Sequence, residues 1–70
     1  MQGNEFHYGD VVVLKSGGPP MTVDILPGDQ ITTYSHETWT TYGCVWFRGA
    51  HKEEAHFEEH LLKKFEPQGV

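Results

Sequence analysis

The stretch DVVVLKSGGPPMTVDIL, residues 10–26, decides the fold class that we expect for this chain. Its first part, residues 10–15, is a β-branched run, which predicts a strand that ends at the turn-forming residues 16–20. In residues 21–26 apolar and polar side chains alternate, and a period of two is typical of a half-buried strand. The stretch therefore predicts two short strands joined by a turn, as in an all-β protein.

The next segment continues the β pattern. Two β-rich runs, residues 31–34 and 39–48, flank the polar connection 35–38, and this arrangement predicts a hairpin. Within the second run, YGCVWFR at 42–48 is apolar at successive positions. Such a run is typical of a strand covered on both faces, or of one that changes face at a glycine, so we expect it to be the central strand.

The C-terminal part predicts two more strands and one helical turn. Alternation over 53–57 indicates a fourth strand with Ala55 and Phe57 pointing inward. A helix of about eight residues after it would be marginal alone, so we expect a single turn at 57–60 and a closing strand at 61–65. Together these elements predict a small, SH3-like, five-stranded, partly open barrel or strongly bent sheet, with one short helical turn before the last strand.

The length of the chain limits what it can do. Residues 1–70 are expected to form a single SH3-like β domain, frayed at 1–7 and 67–70. A domain of this size buries only about 60% of the surface that its unfolded chain exposes, so its apolar side chains must fill its own core. A deep substrate cavity would remove contacts that stabilise such a domain. We therefore expect a protein that is not an enzyme and has no small-molecule substrate.

The charge of the chain limits its possible partners, and its cysteine content indicates the cellular compartment. The net charge is −5, and neither half of the chain is basic, which disfavours sequence-independent binding to nucleic acid. The single Cys44 cannot form an internal disulfide, and no apolar run approaches about 18 residues. These features predict a cytoplasmic protein that does not span a membrane.

Several short motifs of this chain occur together, and in the same order, in one known family. They are Gly9-Asp10, Lys15-Ser16-Gly17-Gly18-Pro19, Met21-Thr22-Val23, Cys44-Val45-Trp46-Phe47 and the FEEHL string at 57–61. On these motifs the chain resembles the YodC-like family of small uncharacterised bacterial proteins. The resemblance implies an SH3-like β fold and no established activity. The stretch 26–42 is longer and richer in Thr and aromatic residues than the family's usual connection, so a function particular to this chain is expected there.

No cofactor or metal site is expected. Tight Zn²⁺ binding requires three or four converging ligands, and the spacing of the five histidines is not that of a metal motif. These histidines are His7, His36, His51, His56 and His60. Cys44 lies between bulky apolar residues, which favours a core position over a reactive thiol.

The candidate binding residues lie in the predicted hairpin. Tyr34, Trp39 and Tyr42 stand in otherwise polar sequence, with His36 in the connection between the strands. Exposed aromatic rings at such positions are typical binding anchors, although they could equally cover the ends of a small core. We expect these four residues to bind a protein partner, with a second copy of the chain as one alternative, and the acidic surroundings suit a basic partner.

Two other functions stay open at this level. One is a nucleic-acid-binding SH3-like barrel acting through Lys15, Arg48 and Lys52, in which Lys15 would contact phosphate alone beside its glycine-containing loop. The other is a phage or mobile-element accessory protein that inhibits a host protein by acidic surface mimicry. The net acidity favours a protein partner over nucleic acid, and it is compatible with the mimicry.

Overall fold

The computed structural model describes residues 4–67, which form one antiparallel sheet of five strands. The order of the strands across the sheet is β4-β3-β2-β1-β5, so β4 and β5 are its edges and the sheet is not closed. A 3₁₀ turn, η1, precedes the last strand. The elements are β1 (Val11–Leu14), β2 (Met21–Ile25), β3 (Tyr42–Arg48), β4 (His51–Phe57), η1 (Glu59–Leu61) and β5 (Leu62–Lys64). The predicted all-β fold, with five strands and a helical turn before the last, is confirmed.

The register of the strands brings the apolar side chains to one face. Val12 pairs with Met21 across β1 and β2, and Val23 pairs with Cys44 across β2 and β3. Because successive side chains of a strand point to opposite faces, these pairs place one apolar row inside the bend of the sheet. Seven buried residues form this core, namely Phe6, Val12, Met21, Val23, Tyr42, Cys44 and Leu62.

The predicted hairpin with a strand at 31–34 is wrong. The structure has only an isolated bridge between Gln30 and Thr38, inside a long connection over residues 26–41. Side chains of this segment bond to its own backbone: Thr32 Oγ1 accepts from Tyr34 N–H at 3.1 Å, and Ser35 Oγ accepts from Glu37 N–H at 2.9 Å. Such local bonds compete with the ladder of a sheet, and the Thr-rich segment has no apolar row whose burial would oppose them.

Strand β3 is covered on both faces over only half of its length. Its first residues, Tyr42 and Cys44, are buried, whereas Phe47 is 69% exposed. The pairing explains the difference, because the register between β2 and β3 ends at Thr22 and Val45. Beyond that point β3 continues beside β4 alone, so it is not covered along its whole length. The expectation that it is the central strand is also wrong, because β2 is the middle strand of the sheet.

The N-terminal segment is ordered where fraying was expected. Phe6 is buried, and its ring meets the Tyr42 ring edge-on with centroids 5.3 Å apart. The expected fraying of 1–7 is therefore wrong at Phe6, because the domain needs this ring to complete its core. Of the other positions expected to fray, residues 1–3 and 68–70 lie outside the described residues. None of the helical structure in residues 4–67 has the length and hydropathy that crossing a bilayer requires.

Candidate functional site

The most prominent surface feature is the 26–41 loop, which joins β2 to β3 and has an anchored base. Asp29 Oδ2 accepts hydrogen bonds from the Leu26 N–H at 2.9 Å and from the Tyr8 hydroxyl at 2.6 Å. The Asn4 side-chain amide also donates to the Pro27 carbonyl at 3.2 Å. The N-terminal segment thus supports the start of the loop.

These contacts shift the titration of both partners in opposite directions. The Leu26 N–H and then the Tyr8 hydroxyl stabilise the Asp29 carboxylate and lower the pKa of Asp29 below its ordinary value of 3.8. The hydrogen bond to Asp29 raises the pKa of Tyr8. At neutral pH the anchor is therefore an ionised carboxylate that accepts from two donors, a strong kind of hydrogen bond.

The backbone at the tip of the loop is ordered by further hydrogen bonds. Gly28 N–H donates to Trp39 O and Trp39 N–H donates to Asp29 O, both at 2.8 Å. Closer to the tip, Ile31 N–H donates to Glu37 O at 3.1 Å. Tyr34 lies at this tip with 97% of its surface exposed. The loop therefore presents one aromatic ring to solvent from a backbone that is already fixed.

Two other predicted binding residues occupy different environments on the same loop. His36 is exposed near Tyr34. Trp39 is half-buried, because its ring stacks on the His56 imidazole of β4 with centroids 4.1 Å apart and an interplanar angle of 20°. His56 is in turn 3.2 Å from Thr41 Oγ1 through its Nδ1 atom. Trp39 therefore fastens the end of the loop to the outer face of the sheet.

The fourth predicted binding residue, Tyr42, is a core residue. Its side chain is 0% exposed, and its hydroxyl accepts the Phe6 N–H at 3.2 Å. Burial is also the main cause that raises its pKa. The expectation that Tyr42 belongs to a binding surface is therefore wrong, because its ring fills the interior beside Phe6. The other three residues do share one loop.

Sequence reasoning missed two exposed residues beside this loop. Tyr8 is 58% exposed and contacts Asp29, and Ile31 is exposed at the loop itself. Tyr8 lies 21 positions before Asp29, directly after the segment 1–7 that was expected to fray, so no local pattern in the sequence indicated the contact. Together with Tyr34, these residues are three exposed apolar side chains on the loop or beside it.

The charge near the loop is negative. The stretch 16–47 contains Asp24, Asp29 and Glu37 but no Lys or Arg. A surface of one sign attracts a partner of the opposite sign and increases the rate of association. The loop therefore suits a cationic partner.

Three of the lysines gather at another concave part of the surface. Lys15, Lys63 and Lys64 all border an open concavity of about 510 Å³ next to the pairing of β1 with β5. They also border a neighbouring concavity of about 730 Å³, whose rim includes Glu5, Glu58 and Glu59.

No metal centre is formed by the part of the chain that the structure describes. Among its side chains, no three His, Cys, Asp or Glu residues come together in a group that would hold a metal ion. Cys44 is buried in the core, and burial raises the pKa of its thiol to about 11. A thiol in this state is a poor nucleophile and a poor metal ligand.

Comparison with known proteins identifies a family. A family model described as "Uncharacterized small protein (DUF2158)" matches residues 7–62. No curated protein shows significant similarity to the chain, and no solved structure does. The inference that the chain resembles a family of small uncharacterised proteins is confirmed at this level.

Proposed function

The chain belongs to the DUF2158 family of uncharacterized small proteins, and we propose that it is a non-catalytic module whose 26–41 loop binds a protein partner with a basic segment. The proposal includes two finer descriptions, namely a YodC-like family member and an SH3-like barrel. The strand order β4-β3-β2-β1-β5 with a 3₁₀ turn before β5 supports the second. We also place this activity in the cytoplasm, which the single cysteine supports.

The exposed ring of Tyr34 is the observation that carries the proposal. A Tyr side chain offers a large contact area with only two rotatable torsions, and Tyr is enriched among the residues that dominate binding energy. The ring of Tyr34 is 97% exposed, although the domain is short of core material. Burial of this ring by a partner gives it the packing that the fold itself does not provide.

The order of the loop backbone strengthens this interpretation. Association costs free energy when a flexible loop must be ordered, and a loop that is ordered beforehand avoids most of that cost. Here the bonds between Gly28, Asp29 and Trp39 and the stack of Trp39 on His56 hold both ends of the tip. Tyr34 and Ile31 are thus presented in one arrangement, as in a rigid binding surface.

The charge of the loop specifies the partner. Asp24, Asp29 and Glu37 are the acidic residues of the 16–47 stretch, which contains no Lys or Arg. A partner segment with Lys or Arg flanking an apolar side chain would complement both the acidic surroundings and the exposed Tyr34. A second copy of the chain is the other protein occupant, and an experiment separates the two.

The absence of catalysis is part of the proposal. The thiol of Cys44 is the chain's strongest potential nucleophile, and its burial with a pKa of about 11 keeps it protonated at neutral pH. The core is filled by Tyr42, Val12, Val23 and Cys44, none of which is exposed by more than 1%. These features favour a binding surface rather than a reactive cavity.

A comparison of three immobilised chains tests the proposal. Extract of the native cell is passed over the wild type, over Tyr34→Ala and over Phe47→Ala. Phe47 is a matched control because it is also a highly exposed ring, 69% exposed, but lies towards the other end of β3. We expect Tyr34→Ala to lose a basic protein that the other two chains retain. Equal retention by all three would contradict the proposal, and sedimentation of the purified chain identifies self-association.

A further inference from the structure

The second surface that the fold assembles is the cation-rich concavity beside β1 and β5. Lys15 directly follows β1, and its N–H donates to Leu61 O at 2.8 Å. Lys63 pairs with Val13 and Lys64 pairs with Val12 in the β1–β5 ladder. The ladder therefore brings three lysines together although 48 positions of sequence separate Lys15 from Lys63. The sequence predicted that Lys15 would be the one lysine beside its loop, but the structure places Lys63 and Lys64 next to it.

One of these three lysines is in an ion pair with a carboxylate. In residues 4–67 the one lysine ion pair joins Lys64 Nζ to Asp10 Oδ2 at 3.8 Å, and Glu66 is the acidic residue on the rim of the 510 Å³ concavity. The three lysine side chains are exposed. The rim of this concavity thus carries three lysines and one glutamate, and the same lysines share the rim of the neighbouring concavity with Glu5, Glu58 and Glu59.

The glycines of the β1–β2 turn leave this concavity open. Gly17 and Gly18 have φ values of 109° and 133°, which side chains rarely adopt, and an added Cβ at either position would meet nothing within 4 Å. Both line the same concavity as the lysines. A ligand can therefore approach the backbone closely here, as phosphate groups do at other glycine-containing turns.

The remaining cations of the chain lie at the same end of the sheet. Thr22 pairs with Val11 on one side and with Val45 on the other, and Leu14 and Arg48 each lie three residues beyond that row. Strands β1 and β3 run in the same direction, so Lys15 and Arg48 leave the sheet at one end, about 10 Å apart by strand spacing. Lys52 pairs with Phe47 close to Arg48. The net charge of −5 therefore conceals a cationic end, which consists of Lys15, Arg48, Lys52, Lys63 and Lys64.

Two exposed aromatic rings accompany these cations. Phe65 is 37% exposed and lines the concavity with the three lysines, and Phe47 is exposed beside Lys52. Proteins that bind single-stranded nucleic acid combine cations along the phosphate backbone with aromatic rings on which bases stack. The carboxylates of an acidic polypeptide would pair with the cations, but they would not stack on the rings. We propose that the cationic end binds single-stranded nucleic acid, with phosphates at Lys15 and Lys63, which share one face of the β1–β5 ladder, and a base against Phe65.

Fluorescence anisotropy with a labelled oligothymidylate of about 12 nucleotides tests this proposal, since one small barrel covers roughly 4–16 nucleotides. Each phosphate contact with a single strand contributes about −0.7 to the slope of log K against log salt, so three to five contacts predict a slope between about −2 and −3.5. Lys63→Gln is expected to make the slope shallower by about 0.7, whereas Lys63→Arg keeps it. Phe65→Leu is expected to weaken binding at least about fivefold at an unchanged slope.

Two controls separate this site from the 26–41 loop and from simple charge effects. Tyr34→Ala is expected to bind the oligonucleotide as the wild type does, so the two proposals fail independently. Glu37→Gln changes the net charge by one unit, in the direction opposite to Lys63→Gln and on the 26–41 loop, and it is expected to leave the slope unchanged. Absence of salt-dependent binding by the wild type would overturn the proposal, and so would equal affinity for a duplex or for polyglutamate.

Discussion

The Tyr42 hydroxyl donates a 2.8 Å hydrogen bond to Glu59 Oε1. The same hydroxyl accepts the Phe6 N–H at 3.2 Å, and Glu59 Oε1 lies 3.4 Å from the Glu5 nitrogen. One buried side chain of β3 thus joins the N-terminal segment to the 3₁₀ turn before β5. This explains why Tyr42 is a structural residue, and why Phe6 is ordered although it lies near the chain terminus.

The first prediction concerns this hydroxyl. Tyr42→Phe leaves the buried Phe6 N–H without its acceptor, which is expected to lower the free energy of unfolding by about 1–3 kcal/mol. Tyr34→Phe removes the same atom from an exposed ring and is expected to change stability by no more than about 0.5 kcal/mol. Urea unfolding measures both variants. Equal midpoints for the two would show that the Tyr42 hydroxyl has no structural role.

The second prediction concerns the close packing over Gly43. A Cβ at this position would lie 2.8 Å from Ile25 Cβ and 3.0 Å from His56 Cε1. The first contact involves an atom fixed to the backbone, so Gly43→Ala is expected to cost about 1–3 kcal/mol through overpacking. Thermal or urea unfolding gives the value. An alanine variant as stable as the wild type would mean that β2 and β4 lie further from Gly43 than we describe.

The third prediction concerns Cys44, whose buried thiol has a pKa raised to about 11. At pH 8 about one such thiol in a thousand is ionised, so a maleimide reagent is expected to label the folded chain very slowly and the urea-unfolded chain quickly. Ser16→Cys adds an exposed thiol that serves as the positive control. Rapid labelling of Cys44 in the folded wild type would contradict its burial.

The same thiol predicts a dependence of stability on pH. The unfolded thiol has the ordinary pKa of 9.0, and the folded thiol has the higher value. The folded chain therefore holds this proton more tightly, and stability is expected to fall as the pH rises from about 9 to about 11. Urea midpoints across this window measure the effect. Cys44→Ala is expected to remove this component of the decline.

The fourth prediction concerns the anchor of the 26–41 loop. Asp29→Asn replaces the carboxylate that accepts from the Leu26 N–H and the Tyr8 hydroxyl, so the Leu26 amide is expected to exchange its hydrogen faster. The lowered pKa of Asp29 means that the wild-type anchor stabilises the loop above pH 3.8 and is lost as the pH falls through the folded value. Glu37→Gln is the control, expected to leave Leu26 protection unchanged.

Local patterns predicted the strands, and contacts between distant residues decided what the patterns missed. Alternation over 21–25 identified β2 because the burial of one face of a strand leaves a period of two in the sequence. The β-rich residues 31–34 predict a strand. In the structure, however, the hydroxyl oxygens of Thr32 and Ser35 accept hydrogen bonds from nearby backbone N–H groups instead. Strand propensity alone does not show that side-chain hydroxyls compete with a neighbouring strand for the backbone N–H groups.

The candidate sites likewise include features that the local sequence predicted and features that depend on contacts between distant residues. Sequence composition indicated an aromatic, acidic loop, and the structure places Tyr34, His36 and Trp39 on it. The burial of Tyr42 depends on Phe6, 36 positions away, and so left no local signal. The grouping of Lys15 with Lys63 and Lys64 depends on the pairing of the first strand with the last. Net charge is a sum over the chain, so it cannot show that lysines far apart in the sequence lie together.

The affinity of the captured basic partner for three purified chains tests the central claim most directly. Calorimetric titration gives the Kd for the wild type, for Tyr34→Ala and for the exposed-ring control Phe47→Ala. If Tyr34 anchors the partner, its truncation raises the Kd at least about tenfold, which is about 1.4 kcal/mol, and Phe47→Ala stays within about twofold of the wild type. An unchanged Kd for Tyr34→Ala, in a variant whose unfolding midpoint matches the wild type, would contradict the account.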